Sequence, residues 1–277
     1  MIGIILATLG TFFDEISLSF GKWAVSHNKE NIYTFGFLNF FWMLIIFIIF
    51  AIAKNSFIFD PASIPLFIVL IILEIAQVYS SLNAIVKADR STSGFLLIIT
   101  IPLLLIVDTF LGYKIGIYSL LGVVVIIVGL IILLTNHGLN KKGIWYVIFS
   151  AVNAVATISI YKYCITHYNS VEAQQIIISV FMLIFLYIMS VWKSKESPLK
   201  YIFKKEFFIR SVSMGIGSVI ISFAYLFAPS SIITSAKRAS SILWSIISGN
   251  HYFHEKHILV KITAFLLIIV GLALMLF

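Results

Sequence analysis

The chain has 277 residues, of which 61% are hydrophobic and 11% charged, with a formal net charge of +8. This composition excludes a soluble globular domain and a disordered chain, and it points to an integral membrane protein. A basic excess on so apolar a chain reports orientation and lipid headgroups rather than nucleic-acid binding, and the lone Cys164 excludes an internal disulfide.

The apolar runs reach ~20 residues, the length a helix needs to cross ~30 Å of hydrocarbon. Ten are predicted, at about 2–23, 33–53, 63–86, 92–112, 116–135, 143–163, 171–191, 207–228, 231–252 and 258–276. The first has no basic region before it and no small-residue cleavage site after it, so it reads as a spanning helix and not a signal peptide. Lys22 and His27 recur 140 positions on as Lys162 and His167, and Lys114 and Gly129 recur 142 positions on as Lys256 and Gly271. The expected fold is an all-α integral membrane protein of ten transmembrane helices in two five-helix repeats, 1–137 and 138–277. Five is odd, so the second repeat enters the membrane inverted, with the binding site where the repeats meet.

A charge inside a span costs ~2.5–3.5 kcal/mol at mid-helix, so each such residue needs a partner, water or a role. On helix one, Gly3, Ala7, Gly10, Asp14, Ser17 and Gly21 follow alternating steps of four and three, a small-residue stripe that permits close approach of a neighbour. Asp14 sits on that stripe. Glu15 lies ~100° away with Thr11, Ser19 and Lys22. Each carboxylate either lines a cavity or pairs with a buried cation for assembly alone. On helix three, Glu74 shares a face with Gln77 and Ser81, flanked by Tyr79, and five apolar residues precede it. On helix four, Pro102 is expected to kink the helix and free a carbonyl, and Asp108 reads as interfacial.

Asn153, Thr157 and Tyr161 on helix six are the counterparts of the polar face on helix one. Lys22 and Lys162 read as anchors of helix ends at the headgroups. The stretch from Lys193 to Arg210 is the longest connection and is strongly basic; Lys87, Arg90, Lys141 and Lys142 fall on the same side, with little beyond Lys54 and Lys114 opposite. Basic loops stay cytoplasmic, so both termini are expected outside. Helix eight presents Ser211, Gly215, Ser218, Ser222 and Tyr225 on one face, which suits tight packing or cavity lining equally. Lys237 and Arg238 lie about seven residues into helix nine, ~10 Å deep at 1.5 Å per residue. They either snorkel to the interface or form a cation site for a carboxylate or phosphate. His251, His254 and His257 sit on a short turn, out of phase for convergence on one ion, so no metal and no cofactor are expected.

The segment KRASSILWSIISGNHYFHEKHILVKITAFLLIIVGLALML, with Lys237-Arg238, Gly249, Phe253, Glu255 and Gly271, resembles the closing segment of EamA-type proteins of the drug/metabolite transporter superfamily. The first half holds a matching stretch with Pro102, Gly112, Gly122 and Gly129, but Tyr113 stands where the family has an acidic turn residue. The resemblance implies a transporter fold and metabolite or amino-acid export. It does not imply a substrate.

The residues themselves suit a secondary transporter of a small zwitterion such as an amino acid. The expected substrate set is Asp14, Glu74, Gln77, Tyr79, Asn153, Tyr225, Lys237 and Arg238, with Asp14, Glu15 and Glu74 as candidate carriers of a coupling proton. Two other readings stay open: a lipid or lipid-linked sugar translocator, which needs an opening toward the bilayer, and a non-transporting scaffold with a closed ion-pair network. An enzyme is not expected, because no nucleophile–base pair can be assembled. Expected partners are the solute and membrane lipids, the protein being a monomer or homodimer in a microbial cytoplasmic membrane.

Overall fold

The computed structural model describes residues 1–27, 29–88, 93, 95–110, 112, 116–137, 143–253 and 258–274. Among them the chain forms ten α-helices and no strand. These are α1 (Ile2–Ser26), α2 (Ile32–Lys54), α3 (Ile64–Lys87), α4 (Thr100–Phe110), α5 (Ile117–His137), α6 (Ile144–His167), α7 (Val171–Ser194), α8 (Lys205–Ala224), α9 (Ser230–Phe253) and α10 (Ile258–Leu274). Helices α1, α2, α3, α6, α7 and α8 are long and apolar enough to cross a membrane. Helix α9 matches them in length but not in apolarity, because it carries Lys237, Arg238 and a row of serines. Ile5, Ile49, Ile68, Ile72, Ile184 and Ile188 stay exposed on the outside of the bundle, as side chains solvated by lipid do.

The helices lie within a few residues of the runs read from the sequence. The fourth is interrupted: Ser93, Phe95 and Leu96 are already α-helical, a 3₁₀ turn follows at Leu97–Ile99, and the α-helix resumes at Thr100. Pro102 has no N–H and its ring crowds the carbonyl four residues back, Ile98, so the α ladder is broken at that turn. Asp108, near the end of this helix, does not face the surroundings. It is buried and accepts a hydrogen bond from the Ser231 N–H (2.9 Å) at the start of α9, where the orphan donors and the helix dipole favour an anion.

Helix α1 packs on α8 and α9; α6 packs on α3 and α4; α2 runs along α7, α5 along α10, and α4 crosses α9. Exchanging helices one to five for six to ten maps these pairs onto themselves. Helices α2 and α7 are antiparallel along their length. At one end the Asn31 amide donates to Ser190 Oγ (3.3 Å), and at the other Ser56 donates to Glu172 Oε1 (2.7 Å). Helix α2 ends on Asn55 in the left-handed region (φ 49°) and α7 on Lys195 (φ 50°), 140 positions later. Each is followed by a 3₁₀ turn opened by proline, Pro61–Ser63 and Pro198–Tyr201.

Lys22 and Lys162 recur in role as well as position, though not as headgroup anchors. The Lys22 ammonium donates to the Ala88 carbonyl (2.9 Å) at the end of α3, and Lys162 donates to the Tyr225 carbonyl at the end of α8. Terminal helix carbonyls lack intrahelical donors and carry the negative end of the dipole, so a buried lysine is well matched there. Lys29, Lys195, Lys200, Lys204 and Lys205 gather at one end of the bundle, the basic face, around two adjoining surface hollows. Arg90, Tyr113, Lys114, Lys141 and Lys142 lie outside the described residues.

The small-residue stripe of α1 meets α8 backbone to backbone. A Cβ placed on Gly10 would come within 2.8 Å of the Gly217 carbonyl, and one on Gly217 within 2.6 Å of the Gly10 carbonyl and 2.5 Å of Asp14 Oδ1. On the other side of α8, Gly215 seats against the backbone of Trp42 and Met43 on α2. Helix α8 is therefore wedged between α1 and α2 by lost side chains. A Gly217→Ala protein is expected to lose about 1–3 kcal/mol through overpacking, read as a lowered Tm in detergent. Gly116→Ala, with nothing within 4 Å, should leave Tm unchanged.

Candidate functional site

Two adjoining cavities lie inside the bundle. The larger, about 350 Å³, is lined by Glu74, Gln77 and Ser81 of α3, Thr157 and Tyr161 of α6, Gln175 of α7, Ser218 and Ser222 of α8, Tyr225 and Lys237, with Asn39, Phe35 and Met43 from α2. The smaller, about 190 Å³, is lined by Thr11, Asp14 and Glu15 of α1, Ser93, Ser150 and Lys237, Arg238, Ser241 and Ser245 of α9. They share Leu18, Ser81, Ile85, Met214 and Lys237, so the Lys237 side chain stands in the wall between them.

Among the charges on these walls, Asp14 and Glu74 stand opposite Lys237 and Arg238 without closing on them. Asp14 is buried, and its Oδ1 is fully enclosed with no hydrogen-bond partner. Arg238 Nε is enclosed in the same way. Lys237 lies within electrostatic reach of both Asp14 and Glu74, yet no direct ion pair joins these side chains. Buried polar atoms are almost always satisfied, so each orphan calls for an explanation. The arrangement can hold a molecule with both signs of charge: a cationic end against Asp14 or Glu74, and an anionic end against Lys237 or Arg238.

Several residues expected at the site support it instead of lining it. Asn153 donates to the Leu73 carbonyl and to Gln77 Oε1, both at 2.9 Å, and so fixes the Gln77 amide that faces the larger cavity. Tyr79 lies outside both cavities. Five residues from Glu74 it is rotated ~140° around α3, and its ring faces Lys193 (5.3 Å) and Tyr146 (6.5 Å). Glu15 touches the smaller cavity, and its Oε1 accepts from Ser19 (2.8 Å) and Ser248 (2.7 Å), tying α1 to α9. On helix eight, Ser218, Ser222 and Tyr225 face the larger cavity, whereas Ser211 turns back to the Phe207 carbonyl (2.8 Å). Asn39 and Gln175 escaped the sequence reading. Asn39 is a lone amide inside a long apolar run, and Gln175 follows Gln174 just before one; an amide within or at the edge of such a run was the available signal.

Two layers bound the larger cavity along the bundle axis. Away from the basic face, Tyr161 and Tyr225 meet edge to face (6.0 Å), their hydroxyls held by the Ser222 carbonyl (3.4 Å) and Thr234 (3.0 Å). Toward the basic face, Arg210 pairs with Glu30 (3.0 Å) and lies over the Phe35 ring (4.5 Å). Arg210 is thus not part of the basic loop. It is buried inside α8, and its partner, in the α1–α2 connection, is 180 positions away in sequence. Beside this pair, Glu196 accepts from Asn31 and Tyr201, joining the α1–α2 and α7–α8 connections. That bond to Glu196 is the main reason the Tyr201 phenol is pushed up to about 12.

His251 is exposed in the last turn of α9, and His254, Glu255, Lys256 and His257 lie outside the described residues. Among the described residues no cluster of three His, Cys, Asp or Glu could hold a metal ion.

Burial pushes the Glu30 carboxyl from its ordinary 4.5 up to about 7; Arg210 offsets part of this and Glu196 adds to it. The fold therefore favours protonated Glu30. Its contribution to stability is full below the ordinary value and is lost as pH rises through about 7. Between about pH 5 and pH 8 the Tm of the wild-type protein should fall more steeply than that of Glu30→Gln. A wild-type profile as flat as the variant's would mean that Glu30 is ionised throughout.

No protein-family model matches the chain, and no curated protein matches it at a significant level.

Proposed function

We propose that the protein is a secondary transporter that moves a small zwitterion, of the amino-acid kind, by alternating access. The observation that carries the reading is the set of buried, mutually unpaired charges on the cavity walls: Asp14 Oδ1 without a partner, Glu74, and Lys237 shared by both cavities. A scaffold would have closed these charges on one another. The carboxylate of the solute meets Lys237 or Arg238, where a planar guanidinium suits bidentate recognition, and its amine meets Asp14 or Glu74. Either acid is also placed to carry a coupling proton. At about 350 Å³ the larger cavity is at the small end of small-molecule sites.

The exchange of helix pairs between the halves, the recurring lysine contacts and the recurring left-handed caps support two inverted five-helix repeats, which rock against each other around the site. The EamA-type resemblance supports the same architecture and export as the direction. In this reading the Tyr161–Tyr225 layer and the Glu30–Arg210 layer close the site alternately. The basic face lies in the cytoplasm of a microbial plasma membrane, with both termini outside.

A thermal-shift screen against amino acids and small metabolites tests the site, because a bound solute stabilises by RT ln(1 + [L]/Kd). A zwitterion should raise the Tm of the wild-type protein but not of Asp14→Asn or Arg238→Ala. The same solute should cross proteoliposome membranes, with a rate that responds to a pH gradient. Undiminished transport by Asp14→Asn would falsify the role given to that residue, and stabilisation without flux would favour a sensor. Orientation is read separately. In a Cys164→Ala background, Lys200→Cys should resist an impermeant thiol reagent added to intact cells, and Phe57→Cys should react.

A further inference from the structure

On the lipid-facing side of the bundle, α1 and α9 part to leave a groove of about 510 Å³. Its walls are Phe12, Ile16, Phe20 and Trp23 from α1 and Trp244 and Ile247 from α9. The surface is open to the surroundings: Phe20 is 55% exposed, Ile247 50% and Trp23 42%. At the back, Glu15 is hydrogen-bonded to Ser19 and Ser248, so the two helices are stitched beneath the groove rather than apart.

The two ends of the groove differ. At mid-helix it is closed by Phe12 and Trp244, which meet edge to face at 4.9 Å. At the basic face it opens beside Trp23, over whose ring Lys29 holds its ammonium at 4.2 Å and beside which the His27 ring packs at 5.0 Å. Lys29 also faces the hollows lined by Lys195, Lys200, Lys204 and Lys205 against two acids, Glu196 and Glu206, and the nearby Glu30 is buried against Arg210. The mouth is therefore net basic. From Phe12 to Trp23 is eleven residues, ~16 Å along a helix. That is close to one leaflet of a ~30 Å hydrocarbon core.

We propose that this groove is a binding site for one anionic phospholipid of the leaflet at the basic face. One acyl chain lies along the aromatic wall as far as Phe12 and Trp244, and the phosphate sits against Lys29. The match of length to a single leaflet distinguishes a resident lipid from a transported one, since a translocation path has to continue past the midplane. The bound chain covers the seam between the helix that carries Asp14 and the helix that carries Lys237 and Arg238. The site stands independently of the solute that the interior cavities take.

The test uses the full chain, delipidated in a neutral detergent and supplied with phosphatidylglycerol or phosphatidylcholine of the same acyl composition. Retention is read by native mass spectrometry and stabilisation by Tm. Phosphatidylglycerol should be retained and raise Tm more than phosphatidylcholine in the wild-type protein. Lys29→Gln should weaken that preference about five-fold, the scale of one lysine at an anionic surface, while Lys200→Gln should keep it. Ile247→Trp, which fills the groove at an exposed position, should lose retention of both lipids. Equal effects of the two lipids on the wild-type protein would overturn the proposal. So would an equal loss in Lys200→Gln and Lys29→Gln, which would assign the preference to the basic face as a whole, or retention undiminished in Ile247→Trp.

Discussion

The interior depends on how closely α1 approaches α8. In a bilayer no hydrophobic force drives helices together, so close packing of small residues has to supply the attachment. Gly10 and Gly217 let the two backbones touch. That contact fixes the height and rotation of α1, and with them the position of Asp14, whose Oδ1 occupies the space a side chain at 217 would take. Helix α9 packs on the other flank of α1, bringing Lys237 and Arg238 to the same level of the bundle. The acid and the two bases are thus positioned by backbone contacts and not by a direct ion pair.

Charges held this way differ from a buried salt bridge. A closed pair satisfies itself and offers little to a third group. Here Lys237 stands in the wall between two cavities and is felt by an acid in each. In a medium of low dielectric such coupling extends well beyond hydrogen-bond range. The Glu30–Arg210 pair is in direct contact and buried, and it joins the α1–α2 connection to α8, while Glu30 Oε1 and Arg210 Nε and Nη1 have no hydrogen-bond partner.

The helices were legible as long apolar runs, six of them long and apolar enough to cross a membrane, and the charged residues inside those runs stood out because each is costly there. The stripe from Gly3 to Gly21 announced a close neighbour but could not say that α8 would be it. Rotation about a helix axis separated Tyr79 from Glu74 correctly only once the neighbours of α3 were known, since both lie on a helix with more than one polar side. The partner of Asp108 was not legible because the N-terminus of α9 that binds it is over a hundred residues away. Glu30 and Arg210 were unreadable as a pair for the same reason. Spacing rules describe one helix at a time, whereas these partners come from helix ends that tertiary packing brings together.

The likeness of the two halves is carried less by letters than by turns of the chain. Asn55 and Lys195 share no chemistry, yet both leave their helices through the same left-handed conformation, which costs a residue with a Cβ roughly 1–2 kcal/mol. Ala88 and Tyr225 are equally unlike, yet each offers its carbonyl to the matching lysine. A comparison that scores identities counts both positions as mismatches. One that scores dihedral angles matches the first pair and one that scores main-chain acceptors matches the second, so kinship for this chain is better sought in its backbone than in its alphabet.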